Sequence, residues 1–237
     1  MARQNELERI REVYDTVYRP DPGDRAYAWH PCNSVSVYYR QARERALIAL
    51  FSDHNIALQQ VQVLDIGCGT GGFLRFLAGL GAQPGNLHGV DLMPYRIKQG
   101  RTLSPASMDL QVGNAEVLPY PDQRFDLVSQ FTVFTSILDD QVQRNVAGEM
   151  TRVLKQGGYV LWYDFRKGND LTTRGVEVDK IRRLLPTCTI LALRGLHPPR
   201  ASSIARRSWL LCELWDRVPG LKKTHYLVLL QKTGDNR

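Results

Sequence analysis

Val63-Leu64-Asp65-Ile66-Gly67-Cys68-Gly69-Thr70-Gly71-Gly72-Phe73 is the stretch from which the rest of the chain is read. It opens on a short apolar run carrying an acid, the pattern of a strand buried on both faces of a sheet. A glycine-rich turn follows, and a helix begins near Gly72. Glycines let the backbone approach a ligand closely, and a helix start offers unpaired N–H groups. Gly67, Gly69 and Gly72 also satisfy G-x-G-x-x-G, the spacing of dinucleotide sites, so the glycines alone leave the ligand open. Asp65 narrows the choice. A carboxylate at the strand's end, aimed into the turn, repels a diphosphate and suits a cationic amine.

Outward from this stretch, short β-rich runs alternate with helical periods. Strands are expected at 61–66, 86–92, 108–114, 125–131, 159–165, 187–195 and 224–232. The first five are apolar and spaced for crossover helices, as in a parallel sheet covered on both faces. One crossover is well marked: Asp139 or Asp140 caps its start, Val142, Val146, Met150 and Val153 form its stripe, and Gly157-Gly158 stop it. A further helix is expected around 206–217, and the last strand inserts antiparallel beside the fifth. Near the N-terminus, Leu7, Ile10, Tyr14, Val17 and Tyr18 recur at helical steps, and Pro20, Pro22 and Gly23 end that helix. An aromatic loop with Tyr27, Trp29 and His30 leads to a second helix from about Val37 to Phe51, with Tyr39, Ala46, Leu47 and Leu50 on one side.

The 237 residues suffice for a sizeable core without disulfide or metal staples. The four cysteines, Cys32, Cys68, Cys188 and Cys212, show no metal-ligand spacing and no disulfide framework, so no metal is expected and a reducing compartment is. The opening MARQNELERI has no apolar secretory core, and no run nears the ~18 apolar residues of a membrane span, which points to the cytoplasm. The formal charge of +7 is uneven: residues 166–237 carry 15 Lys+Arg against 6 Asp+Glu, and residues 1–165 carry 16 against 18. Such asymmetry either steers an anionic partner or is a solvated basic face.

Asp65-Ile-Gly67-Cys-Gly69-Thr-Gly71 resembles the first motif of the class I S-adenosylmethionine-dependent methyltransferases, and the remaining motifs arrive in that family's order. Asp91, in Gly89-Val-Asp91-Leu92, stands where these enzymes hold both ribose hydroxyls, a task suited to a carboxylate because it accepts two hydrogen bonds from a diol. Gly113-Asn114-Ala115-Glu116 and Phe125-Asp-Leu-Val128 resemble the adenine-contacting turn and the fourth strand. Arg152-Val-Leu-Lys-Gln-Gly-Gly158 resembles the turn before strand five. The match runs continuously over residues 60–165.

This resemblance implies an α/β, doubly wound, Rossmann-like seven-stranded sheet in the order 3-2-1-4-5-7-6, the last strand antiparallel, with an N-terminal helical cap (1–55) on a methyltransferase domain (56–237). It implies S-adenosylmethionine as cofactor, met by Asp65, Gly67, Cys68, Gly69, Gly71, Asp91, Leu92, Asn114, Ala115 and Gln130, with Cys68 contributing backbone only. Gln130 either faces the methionine part or finishes the sheet. Phe131, Thr132 and Phe134 either line the acceptor site or pack the core.

Methyl transfer from a sulfonium needs alignment and a dry site, and a general base only for a poor nucleophile. The candidates for such a base are His197, His30 and Asp164. Val133-Phe-Thr-Ser-Ile-Leu-Asp-Asp140 and Leu161-Trp-Tyr-Asp-Phe165 resemble a bacterial subgroup attached to biosynthetic pathways, which favours a small-molecule acceptor. That acceptor is expected to be anionic, met by Arg194, Arg200, Arg206 and Arg207. The apolar residues Trp209, Leu210, Leu211, Leu214 and Trp215 beside them either pack as core or rest on a lipid interface. A nucleic-acid methyltransferase is the rival reading, weakened because Ser129-Gln-Phe-Thr132 lacks the Asn/Asp-Pro-Pro-aromatic run of base-amino enzymes. A non-catalytic cofactor-binding module is the other rival, weakened because every glycine and acid of the turn is kept.

Overall fold

The computed structural model describes residues 2–16, 32–169 and 171–234. The chain runs α1 (Ala2–Thr16), α2 (Ser34–Asp53), β1 (Val63–Ile66), α3 (Gly72–Gly79), β2 (Leu87–Asp91), α4 (Pro94–Leu103), β3 (Asp109–Val112) and β4 (Phe125–Phe131). It continues through α5 (Asp140–Val153), β5 (Leu154–Phe165), α6 (Val178–Leu184), β6 (Cys188–Leu196), α7 (Ala201–Ala205), α8 (Trp209–Asp216) and β7 (His225–Lys232). The strands form one sheet in the order β3-β2-β1-β4-β5-β7-β6. β1 to β5 are mutually parallel, and β7 lies antiparallel between β5 and β6. Strand order reverses between β1 and β4, so a crevice opens at their carboxyl ends, the place where open α/β sheets bind ligands.

Alternating side chains supply the two cores. On one face, Leu64, Val128, Val160, Trp162, Val228 and Leu230 pack beneath α5 and α6. On the other, Val63, Leu127, Leu161, Leu227 and Leu229 pack beneath α2, α3 and α4. Every residue of β1 and β2 is buried, which is why neither shows the apolar–polar alternation of a half-exposed strand. α2 begins where Asn33 accepts the Val35 N–H at 2.9 Å. α5 begins where Asp139 accepts the N–H groups of Gln141 and Val142 at 2.7 and 2.9 Å, and the stripe Val142, Val146, Met150 and Val153 is buried as its spacing requires. No helix among the described residues is long and apolar enough to cross a membrane.

Two expectations need correction. Gly157-Gly158 do not stop α5; the helix ends at Val153, because Leu154 already pairs with Phe125 as the first residue of β5. The next pair is Leu127 with Tyr159, so the intervening residues bulge outward, with Gly157 at φ +74°. The expected single helix around 206–217 is two, α7 and α8, separated where Ser208 turns extended and caps the Leu211 N–H at 3.3 Å. Val17, Tyr18, Tyr27, Trp29 and His30 fall outside the described residues.

Candidate functional site

The glycine turn after β1 is knitted to β2. The N–H groups of Gly67 and Cys68 both donate to Val90 O, at 2.8 and 3.1 Å, and Gly71 N–H donates to Cys68 O at 2.9 Å. Gly69 N–H donates to Asp91 Oδ2 at 2.8 Å. These four amides are spent inside the protein, so at these positions the turn offers no nest for a diphosphate. Gly67 has φ +65°, and a Cβ there would lie 2.4 Å from Val133 Cγ2. Cys68 is buried with its sulfur against Gly89, where a Cβ would come within 2.7 Å of it, and burial pushes the thiol pKa up. Its side chain packs the turn onto β2 and is no nucleophile.

Two acids sit under this turn. Asp91 closes β2 with Oδ1 accepting Met93 N–H at 2.9 Å and Oδ2 accepting Gly69 N–H. Burial raises its pKa, opposed by those two hydrogen bonds and by nearby Arg96. A carboxylate has about four acceptor sites, so two remain for a ligand. Asp65 is buried and accepts Ser129 Oγ–H at 2.8 Å. Burial pushes its pKa up to about 7, against the Ser129 bond and the positive field of Arg43, with the Asp91 charge adding to the rise.

A cleft of about 140 Å³ opens at the carboxyl ends of β1, β2 and β4. Of the residues expected to meet a cofactor, Gly67, Asp91, Leu92, Asn114 and Ala115 line it, whereas Asp65, Cys68, Gly69, Gly71 and Gln130 do not. Asn114 Oδ1 accepts the Glu116 N–H at 3.0 Å, which shapes the turn after β3. Gln130 is fully buried and faces inward: Nε2 donates to Asp164 Oδ2 at 3.0 Å, and Oε1 accepts Val133 N–H at 3.0 Å. Phe131 and Thr132 line the cleft, while Phe134 packs in the core on Trp162, ring centres 4.1 Å apart. Thr132 takes φ +61°, an uncommon backbone for a β-branched residue. It is held there by Thr132 N–H donating to Tyr163 O at 2.8 Å, with Thr135 and Ser136 hydroxyls donating to its carbonyl at 3.1 Å.

Neither described candidate base reaches the cleft lining. Asp164 is fully buried between Thr135 Oγ1 at 2.8 Å and the Gln130 amide, and burial pushes its pKa up to about 7 against those bonds. His197 is buried, stacked on Tyr39 at 4.1 Å and hydrogen-bonded through Nε2 to Tyr163 OH at 2.9 Å. Burial, then the charges of His225, Arg43 and Lys223, lower its pKa to about 2, so it is a neutral imidazole. Arg200, Arg206 and Arg207 are exposed on the segment between β6 and β7, Arg194 pairs with Asp53 at 2.5 Å, and none lines the cleft.

Of the expected N-terminal cap, α1 lines the cleft with Leu7, Ile10 and Tyr14. Two features were not foreseen. α1 is latched by Glu6, which accepts Leu138 N–H at 2.6 Å and Arg9 Nε–H at 2.8 Å. Arg9 Nη2 in turn donates to Ser136 O at 2.6 Å. Arg43 on α2 lies 5.0 Å from the Phe131 ring and 5.3 Å from the Tyr163 ring, with no carboxylate or hydrogen-bond partner among the described residues. Its place on the Tyr39–Ala46–Leu47–Leu50 side of α2 was the signal available, since it stands four residues from Tyr39.

Residues 63–158 match a family described as a methyltransferase domain. Over this stretch, which holds the glycine turn, Asp91 and the turn after β3, the chain is similar to methyltransferase domains. A demethylmenaquinone methyltransferase of Bacillus licheniformis is 28% identical over 164 residues, covering 67% of this chain and 63% of that protein. A phthiotriol/phenolphthiotriol dimycocerosates methyltransferase of Mycobacterium tuberculosis is 36% identical over 139 residues, covering 58% and 46%. The chain thus spans between about half and two thirds of the length of these two curated relatives. The fold is shared with a protein of Pyrococcus horikoshii OT3 at TM-score 0.64, 18% identity and 93% and 98% coverage. It is shared with an S-adenosylmethionine-dependent methyltransferase of Mesorhizobium loti at TM-score 0.59, 19% identity and 80% and 97% coverage. The residues present suit S-adenosylmethionine: a buried carboxylate with open lone pairs fits a ribose diol, and the buried acids Asp65 and Asp91 beside the turn fit a cation.

Proposed function

We propose that the chain binds S-adenosylmethionine in this cleft and catalyses transfer of its methyl group to a small-molecule acceptor. The observation that carries the reading is Asp91, a buried carboxylate at the cleft whose two oxygens are each fixed by one backbone N–H. The cofactor supplies an electrophilic methyl group on a sulfonium. The chain's own residues divide the remaining work. Asp91 accepts the vicinal hydroxyls, and Leu92, Asn114 and Ala115 frame the flat base. Asp65 offsets positive charge from beneath the turn, together with the dipoles of the glycine backbone at Gly67, Gly69 and Gly71. Arg43 would pair the cofactor's carboxylate, and its contacts with the Phe131 and Tyr163 rings keep the guanidinium in place.

Phe131 and Thr132 serve the acceptor side, where in-line displacement depends on alignment and exclusion of water. We read Asp164, Gln130 and His197 as the braces that hold this side rigid. The names of the two curated relatives, a demethylmenaquinone and a phthiotriol methyltransferase, support a small metabolite of a biosynthetic pathway as acceptor. Residues 1–55 act as a cap on the domain of residues 56–237, and the chain works in the cytoplasm.

The direct test is incubation of the purified chain with methyl-labelled S-adenosylmethionine and fractionated metabolite extract. The expected result is labelled product in a small-molecule fraction, with S-adenosylhomocysteine released in equal amount. Label appearing only in nucleic acid, or cofactor binding without any product, would overturn the assignment.

A further inference from the structure

α8 presents an apolar face that no described residue covers. Its inward residue, Cys212, is fully buried in a small cluster with Tyr38, Ala201 and Ala205. On the opposite side Leu210, Leu211 and Leu214 are 69%, 58% and 53% exposed, and Trp209 and Trp215 are 41% and 40% exposed. At ~100° per residue the three leucines fall within one arc of about 100°, so they form one contiguous face. Contiguous exposed apolar surface on a folded chain marks an interaction site, unlike leucines scattered singly.

The charges around this face are of one sign. Its acids are neutralised within the molecule: Glu213 by Arg45, and Asp216 by Lys223 at 2.9 Å. Arg206, Arg207, Arg217 and Lys222 are exposed and have no acidic partner among the described residues. A second copy of the chain would set this basic patch against the same basic patch, because a two-fold interface joins one surface to itself. An anionic lipid surface meets both features, since it accepts leucine and tryptophan side chains at the acyl boundary and arginines at the phosphates.

We propose that α8 docks the protein onto anionic lipid, with Leu210, Leu211 and Leu214 entering the interface and Arg206, Arg207, Arg217 and Lys222 meeting headgroup phosphates. The topology places the tether of this segment. The α7–α8 segment leaves β6 at Leu196 and returns at His225, and these two residues pair with each other beside Phe165, the last residue of β5. This is the carboxyl edge of the sheet, the edge on which the cleft opens. α8 is thus carried on a segment tethered at the cleft's end of the sheet. The inference stands on the surface alone and does not depend on methyl transfer.

The test is cosedimentation of the full chain with vesicles of phosphatidylcholine alone and of equal parts phosphatidylcholine and phosphatidylglycerol. Binding is expected to the mixed vesicles, at least tenfold weaker to phosphatidylcholine, and weakened by salt. Leu210→Glu with Leu214→Glu should weaken it at least tenfold, and both side chains are exposed, so an unchanged thermal melt is expected. Arg206→Gln and Arg207→Gln should each weaken it about fivefold. A blue shift of tryptophan emission on adding mixed vesicles provides a readout on the unsubstituted protein. Failure to bind mixed vesicles, or binding indifferent to the leucine changes, overturns the proposal. A dimer in sedimentation equilibrium that the leucine changes dissolve would instead assign the face to a second copy.

Discussion

Glu6 and Leu138 meet across 132 positions of sequence, the carboxylate of the first helix accepting the backbone N–H of the residue that leads into α5 at 2.6 Å. Burial alone would raise the Glu6 carboxyl, but hydrogen bonds from Arg9 and the Leu138 N–H hold it below the usual range. A group lowered in this way stabilises the fold above its unfolded pKa and loses that contribution as pH falls through its folded pKa. Glu6→Ala leaves a buried N–H unpaired and should cost about 1–3 kcal/mol, with α1 released from the cleft first. Hydrogen exchange should show α1 protected in the wild type and exchanging in the variant. Equal protection of α1 in both would remove its role as a latched cover.

Asp65 ties ligand binding to pH. Its pKa, pushed up to about 7 by burial, means the ligand-free fold prefers the protonated acid below that pH. Because the shift is upward, this preference stabilises the fold fully below the unfolded pKa and is lost as pH rises through about 7. A cationic ligand binds the ionised form, so its affinity should rise through that range, by at most about tenfold per pH unit. Calorimetry with S-adenosylmethionine between pH 5.5 and 8.5, roughly the span over which a group near 7 titrates, should show this slope, and Asp65→Asn should flatten it. An identical slope in the variant would assign the dependence to another group.

Gly67 is fixed by two constraints that can be separated. A side chain there must adopt φ +65° and must avoid Val133, 2.4 Å from where Cβ would stand. Gly67→Ala should destabilise by about 1–2 kcal/mol from the left-handed backbone, and further from the clash. Adding Val133→Ala should recover the clash and leave the backbone cost, as measured by urea unfolding. A Gly67→Ala protein as stable as wild type would contradict the turn geometry.

Arg43 should distinguish the two ends of the cofactor. Arg43→Gln is expected to weaken S-adenosylhomocysteine by about 10- to 150-fold, the range for a lost bond to a charged group. It should leave 5′-methylthioadenosine, which has no carboxylate, unchanged. Equal losses for the two ligands would place the arginine's effect in the fold.

The sheet was legible because its signals are local. β1 and β2 are buried on both faces and lack the alternation of a half-exposed strand, and the switch from strand to helix spacing at Gly72 marks the crossover. The cleft-lining residues Gly67, Asp91, Leu92, Asn114 and Ala115 were legible for the same reason, each lying at a strand's end in a short motif. What escaped was set by contacts between distant segments. Glu6 finds Leu138, and Arg43 finds Phe131 and Tyr163, only once α1 and α2 are folded over the sheet. Gln130 and Asp164 sit at the ends of β4 and β5, where position alone does not tell inward from outward, and their mutual hydrogen bond turns both inward. The end of α5 was misread because Gly157-Gly158 look like a helix stop, whereas the pairing of Leu154 with Phe125 ends the helix earlier.

The central claim is that Asp91 holds a nucleoside in this cleft, and titration calorimetry of S-adenosylhomocysteine against wild type and Asp91→Ala tests it most directly. The wild type should bind with one site per chain, and the variant should bind about 10- to 150-fold more weakly through loss of charge-assisted bonds, with its fold intact by circular dichroism. Unchanged affinity in a folded Asp91→Ala protein would contradict the assignment of the cleft.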